Sequence, residues 1–397
     1  MRVLILSHMY PSAVNVNAGI FVHEQALALR TLGHDVRVVS PKGWAPPLLR
    51  RWASHRRVPR TATRDGIQIL YPRRLTLPRG LLGHRNGEMM RRGIAGAVST
   101  LHRDWGIEVI HAHTVAPDGW AASAIGRAIG VPVVATAHGA DVRELPARGP
   151  RERQVVREAI EHVDQLVAVS RAIQGMAEAI GTPMRPVAVV PNGANGEQFF
   201  PRPRAEARAE LGLDPNDDFI LYVGQMKPVK GTDVLTEAMG LLRARPGGAP
   251  ALVLIGVGPM RPSMEGRFAE LGLTARVRFL GRVPHGEIPT WFAAADFLVL
   301  PSRSEGLPTA ACEAAASGRP IVATAVGGTP EIVEHEGTGL LVPPEDPAAL
   351  AAALGQLLDD PVRRDAMGGA AHLVAQERFT WTANALAMDK LYREVAH

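Results

Sequence analysis

Two rhythms alternate along this chain. Short unbroken apolar runs, such as Val3-Leu4-Ile5-Leu6, give way to longer stretches with apolar residues every three or four positions, as over residues 19–32. Unbroken runs of four or five residues predict strands buried on both faces, and the longer period predicts helices laid over them. The alternation therefore reads as βαβ units around a parallel sheet. In the first half the expected strands are 2–6, 36–39, 109–110, 132–135, 166–169 and 187–190. A proline-punctuated stretch, 41–83, interrupts them as an insertion with one expected strand at 67–71. A second series places strands at 220–223, 251–255, 276–280, 297–300 and 321–323, with helices between.

Two such series in 397 residues exceed one ordinary core and predict two doubly wound domains in tandem, joined near 191–217. The expected boundaries are 1–195 for the first domain, with a basic insertion at about 42–103, and 196–378 for the second. The remaining segment, 379–397, reads as a helix carrying Trp381, Leu386, Met388 and Leu391 that crosses back to the first domain.

Composition narrows this further. Hydrophobic content of 46% with 21% charged residues describes a globular chain rather than a disordered one. The single cysteine, Cys312, forms no intrachain disulfide and no metal cluster; it reads as a small buried helix residue in a reducing compartment. Met1 to Ser7 is apolar apart from Arg2 but is broken by His8, Pro11 and Asn15, too short for a signal peptide or a membrane span. No export is expected, and the expected location is cytoplasmic. The formal charge of +5 is uneven: residues 42–103 hold 14 Lys or Arg against Asp65 and Glu88. Such a segment suits nucleic acid, an anionic membrane surface or a phosphate-bearing acceptor, or is simply a solvated arginine-rich face.

The chemistry concentrates at the expected carboxyl ends of strands, where open parallel sheets bind ligands. Pro301-Ser302-Arg303-Ser304-Glu305-Gly306-Leu307-Pro308 follows one strand, and Glu313 lies about two turns into the next expected helix, 310–316. Upstream, Gly224-Gln225-Met226-Lys227-Pro228-Val229-Lys230-Gly231 joins a strand to a helix; backbone N–H groups there and the Lys230 ammonium suit a pyrophosphate. It is not a Walker loop, and alone Lys230 would read as a surface lysine; the Glu305/Glu313 loop reverses that. Gly256-Val257-Gly258 is either another close backbone approach or a tight turn. In the first domain Gly19 precedes a helix, while His111, His113 and His138 sit just after strands. His-x-His hints at a metal, but no third ligand has suitable spacing, so no metal is expected.

Taken together these residues resemble the retaining glycosyltransferases of family 4, which have the GT-B fold, two Rossmann-like domains facing a central cleft. The resemblance spans nearly the whole chain: Gly19 with His34 and Val36, His111-Ala112-His113, Pro117-Asp118-Gly119, Pro191-Asn192-Gly193, Val223-Gly224, the Glu305/Glu313 pair and residues 324–331. It implies that Glu313 holds the donor ribose, Glu305 with the backbone of Gly306, Leu307 and Pro308 holds the transferred sugar, and Lys230 binds the phosphate. Gly19 would face the diphosphate, and Arg282-Val283 would border the nucleobase. His138 is implied near the acceptor and sugar and belongs with Lys230 and Glu305 as a catalytic residue; His113 and Asp141 complete the acceptor side. One departure stands out: such enzymes often have arginine where this chain has Gln225, five residues before Lys230. A neutral amide donates hydrogen bonds but adds no charge, so neutralisation falls more heavily on Lys230.

The resemblance implies no cofactor beyond a nucleotide-diphosphate sugar as co-substrate, and a saccharide or lipid-linked acceptor. The basic segment, interleaved with Trp44, Leu48, Leu49 and Trp52, suits peripheral association with an anionic membrane at its inner face; no nucleic-acid partner is expected. Three other readings remain open at this point: a soluble small-molecule glycosyltransferase, a non-catalytic nucleotide-sugar-binding protein on the same fold, and a relative acting as epimerase or phosphorylase; a paired-carboxylate hydrolase is set aside because the resemblance assigns Glu313 to the ribose, away from the anomeric carbon.

Overall fold

The computed structural model describes residues 1–44, 57–76 and 82–396. The chain divides into two compact units, one formed by Met1–Pro191 with Trp381–His397 and the other by Asn192–Thr380.

The first unit is built on an eight-stranded sheet in the order Ala188–Val189, Gln165–Ala168, Val133–Ala137, Val109–Ala112, Arg2–Leu6, Asp35–Val39, Ile67–Leu70, Thr61–Arg64. Every neighbour is parallel except the last, which runs antiparallel to Ile67–Leu70. Val3, Val38, Val109 and Val134 are fully buried or nearly so, as strands covered on both faces require. The stretch expected to interrupt the series with one strand instead extends the sheet: Ile67–Leu70 pairs with Asp35–Val39, and Thr61–Arg64 forms the edge. A separate pair, Lys42–Trp44 with Arg73–Leu75, also runs parallel. The three unexpected strands are short and mostly polar, so none produces an apolar run. Leu48, Leu49 and Trp52 lie outside the described residues, whereas Trp44 is exposed.

The helix Trp381–Ala396 packs into this unit's core through Ala385, Met388 and Tyr392. Polar contacts add direction: Gln25 Nε2 donates to Asn384 Oδ1 at 2.6 Å, and Asn384 Nδ2 donates to the Pro191 carbonyl at 2.7 Å.

The second unit holds a six-stranded, all-parallel sheet in the order Val277–Gly281, Ala251–Ile255, Phe219–Val223, Phe297–Leu300, Ile321–Thr324, Gly339–Val342. The last strand was not expected, since glycine opens it and its apolar run has only three residues. At the amino end of strand Phe297–Leu300, Asp296 is 2% exposed and accepts from Phe219 N at 2.7 Å and Arg208 Nη2 at 2.9 Å. Arg204 and Arg364 lie 3.3 Å from its other oxygen.

Candidate functional site

In a parallel sheet the loops after successive strands leave from one edge, and in the second unit two of those loops are laced together. Lys230 ends a short turn, Pro228–Lys230, between strand Phe219–Val223 and helix Thr232–Leu241. Gly231 follows with φ +60°, and a Cβ there would lie 1.9 Å from the Pro301 carbonyl oxygen. Only glycine permits both that turn and the close approach of the Pro301 loop. Across the contact, Lys230 Nζ donates to both oxygens of Glu305, at 2.7 and 2.8 Å, and Ser302 Oγ donates to Oε1 at 2.6 Å. Glu305 is 7% exposed, so this carboxylate has exchanged water for three charge-assisted or hydroxyl hydrogen bonds.

Arg303 reinforces the same junction. Its guanidinium grips both Asp233 oxygens at 2.8 and 2.7 Å, and its backbone N–H donates to the Val229 carbonyl at 2.9 Å. The guanidinium holds the Asp233 carboxyl below its ordinary range. Ser302 and Arg303 escaped the sequence reading because a hydroxyl and a cation beside a glutamate carry no pattern of their own.

Glu313 is the fifth residue of helix Thr309–Ala316, little more than one turn in rather than two, and is buried. Its neighbour is His285, whose Nε2 is 3.4 Å from Oε1. His285 follows Arg282 and Val283 by two or three residues, so the structure draws that segment toward Glu313; Val283 is buried and Arg282 exposed. Gln225 is exposed too, and its carbonyl accepts from the Tyr222 hydroxyl at 2.9 Å. Within Gly306, Leu307 and Pro308, proline has no N–H, so backbone donors come only from the first two. Gly256 and Gly258 make their close approach to this chain's own backbone: an added Cβ would lie 1.9 Å from the Gly224 carbonyl oxygen and 2.1 Å from that of Met226. Cys312 is fully buried, as expected.

The first unit gathers the histidines. His111 is entirely buried between the Tyr392 hydroxyl and Thr136 Oγ1, each at 2.7 Å, which makes it a core residue. His113 stacks on His138, with Nδ1 and Nε2 at 3.3 Å, and its own Nε2 is buried without a hydrogen-bond partner. Phe21 packs against His138 at 4.8 Å between centroids, placing the helix that follows Gly19 beside it. Gly19 itself has φ +58°, and a Cβ would meet the Met9 carbonyl oxygen at 2.5 Å. Asp141 is committed to the backbone: Oδ2 accepts from Val115 N at 2.8 Å, and Oδ1 from His138 N at 3.1 Å and Gly139 N at 2.9 Å. It therefore shapes the His138 loop, and burial raises its carboxyl above the ordinary range.

Burial pushes both His111 and His138 down to about 3, and His113 also well down, so all three rings are neutral at pH 7. A base depressed by folding binds its proton more readily in the unfolded chain, so stability is full above about pH 6.5 and falls as pH drops toward the folded value. Each such histidine is expected to cost up to about 1.4 kcal/mol per pH unit in that window. Thermal melts from pH 7.5 to 5 should show a falling midpoint, and His111→Gln should flatten the slope; a midpoint independent of pH would contradict the buried neutral cluster.

Among the described residues no group of three His, Cys, Asp or Glu side chains is placed to hold a metal ion. No described helix is long and apolar enough to cross a membrane.

Comparison with known proteins identifies the family. Residues 203–373 match the family model of glycosyl transferases group 1, and residues 18–198 match that of Glycosyltransferase Family 4. The chain is 28% identical to a putative teichuronic acid biosynthesis glycosyltransferase, TuaC of Bacillus subtilis, over 100% of this chain and 99% of that protein. It is 36% identical to a D-inositol 3-phosphate glycosyltransferase of Thermobispora bispora, covering 72% of this chain and 70% of the relative. Among solved structures, sucrose-phosphate synthase (tll1590) from Thermosynechococcus elongatus superposes with a TM-score of 0.83 at 26% identity, covering 99% of both chains. Anabaena Alr3699/HepE in complex with UDP-glucose shares the fold, with a TM-score of 0.76 at 20% identity over 99% of this chain and 100% of its own.

Proposed function

Because this chain belongs to the group 1 glycosyltransferases of family 4 and has their GT-B fold of two Rossmann-like domains, we propose that it moves a hexosyl unit from a nucleoside-diphosphate sugar to a hydroxyl acceptor with retention of configuration. The observation that carries this reading is the Lys230–Glu305 pair, a cation and a buried carboxylate joined across two loops at the carboxyl edge of the sheet. In the proposed reaction the acceptor oxygen bonds to the anomeric carbon on the face from which the diphosphate leaves. The electrons of the broken carbon–oxygen bond pass to the leaving phosphate oxygen, which takes the acceptor's proton. Lys230, the backbone donors at the start of helix Thr232–Leu241 and the Gln225 amide stabilise the charge that develops there.

Glu305 receives hydroxyls of the transferred sugar, with Gly306 and Leu307 as backbone donors, and Glu313 receives the ribose, with Arg282 and Val283 bordering the base. The two glutamates keep different company, Lys230 and Ser302 for one and His285 for the other, which supports separate roles rather than a pair acting across one bond. In this reading His138 and His113 of the first unit serve the acceptor, Asp141 positions the His138 loop, and Gly19 is assigned to the diphosphate.

A nucleotide-sugar donor is supported by the UDP-glucose held by Alr3699/HepE. Binding and slow hydrolysis across a panel of UDP-, GDP-, ADP- and dTDP-sugars, run with chelator and no metal, tests it. One donor bound in the micromolar range and hydrolysed supports a metal-independent transferase; no binding to any would leave the fold without this activity.

For the acceptor, likeness to TuaC along the whole chain supports a cell-envelope or lipid-linked saccharide. The likeness to D-inositol 3-phosphate glycosyltransferases supports a second reading, a small soluble acceptor. Exposed Trp44 and Leu75 within the basic segment support peripheral association with an anionic membrane from the cytoplasmic side. Vesicle binding that survives replacement of Arg57, Arg60 and Arg64 would refute that surface.

A further inference from the structure

Few polar side chains share a helix with Glu313. Thr309–Ala316 consists of alanines apart from Thr309, Cys312 and Glu313 itself, and Cys312 turns its thiol to the Asn192 carbonyl at 3.8 Å. The Glu313 carboxylate is buried, yet the last torsion of a glutamate is broad, so burial alone does not fix the plane in which its two oxygens lie. A donor from another element can fix it. His285 is placed to be one, with Nε2 3.4 Å from Oε1.

The histidine ring is itself held. His285 opens the turn His285–Glu287, which leads from strand Val277–Gly281 into helix Ile288–Ala294, so it comes from the segment that carries Arg282 and Val283. Buried Phe199 meets the ring edge-on at 5.6 Å between centroids and is backed in turn by Phe292 at 5.7 Å. That packing aims one ring nitrogen at Glu313. At 3.4 Å the contact is longer than a charge-assisted hydrogen bond, and contacts of this kind tighten when a ligand occupies the site. The two adjacent hydroxyls of a ribose donate to a carboxylate only when its plane faces them. A carboxylate fixed to receive them is left with unmet acceptors by a sugar that lacks them.

We propose that His285 is a positioning residue for the donor nucleoside: by fixing the plane of Glu313 it makes the site take nucleotides with an intact ribose and reject their deoxy counterparts. That Glu313 receives the ribose is the reading given above, on which this rests; that His285 sets the discrimination goes beyond it.

Calorimetry on the full chain tests this with UDP, GDP and ADP, each against its 2′,3′-dideoxy counterpart, so that the members of a pair differ only in the ribose hydroxyls. The parent should prefer its tightest-binding ribonucleotide over the dideoxy form by at least about a hundredfold. His285→Leu should shrink that preference about tenfold by weakening the ribonucleotide alone. His285→Asn should do the same, because its amide reaches only the position of Nδ1, whereas the longer amide of His285→Gln reaches that of Nε2 and should recover most of the preference. A merely structural role would weaken both members of a pair together. Folding is followed by circular dichroism, and should His285→Leu not fold, the Asn and Gln variants carry the comparison. A preference unchanged in His285→Leu and His285→Asn but abolished in Glu313→Ala overturns the role of His285 alone. A preference that survives Glu313→Ala, or is absent from the parent, removes the ribose from Glu313 and the role of His285 with it. No binding of any nucleotide overturns both, together with the donor reading.

Discussion

Lys230→Ala should lower kcat/KM for sugar transfer by about a thousandfold, near the upper end of what one preorganised electrostatic contact to a developing charge contributes. The physical reason lies in what surrounds the ammonium. Gln225 adds no charge to its loop and is exposed, and Arg303 is occupied by Asp233 and Glu345, so in the proposed reaction most of the compensation for a leaving diphosphate falls to Lys230. Glu305→Ala should cost a similar factor, since it removes the proposed sugar ligand and releases the ammonium from its partner. The two effects should not add: with both groups working as one pair, the double variant is expected to be no slower than the slower single variant. Initial rates of nucleoside diphosphate release, with folded fraction checked by circular dichroism, separate this from a structural role, which would reduce folded protein but leave kcat of the remainder unchanged. Near-normal transfer by either alanine variant would remove the pair from the mechanism.

Asp296→Ala should be the most destabilising single change in the second unit, by about 3–5 kcal/mol, the range found when one partner of a buried ion pair is deleted. Asp296 serves Arg208, Arg204, Arg364 and the Phe219 N–H at once, and Arg208 and Arg364 are themselves buried. Its loss leaves like charges facing one another with no acceptor between them. Urea unfolding followed by fluorescence of Trp291, which packs against Phe219, reports on this unit. Asp296→Asn should fall between parent and alanine, because the amide oxygen still accepts from the Phe219 N–H. A loss under about 1 kcal/mol for the alanine variant would mean that the arginines reach water after all.

Much of the fold was legible because parallel strands buried on both faces leave unbroken apolar runs that need no partner to be recognised. Strands 2–6, 251–255 and 297–300 were expected with the bounds the structure has. The strands that escaped, Lys42–Trp44, Thr61–Arg64, Arg73–Leu75 and Gly339–Val342, are short, edge or polar segments whose pairing is decided by the neighbour they meet. The same division runs through the candidate site. Lys230, Glu305 and Glu313 stood out by position after strands, but that Lys230 reaches Glu305, 75 residues away, follows from sheet order and from Gly231 letting the Pro301 loop close in.

By itself, then, the amino-acid order determined the two βαβ series and the loops that carry the chemistry, both features of local spacing. Tertiary structure decided which side chains share those loops. It put Ser302 and Lys230 on Glu305, tied Asp141 to the backbone and sealed His111 under Tyr392. Partnership and burial depend on distances between segments far apart in the chain, and no local period encodes those distances.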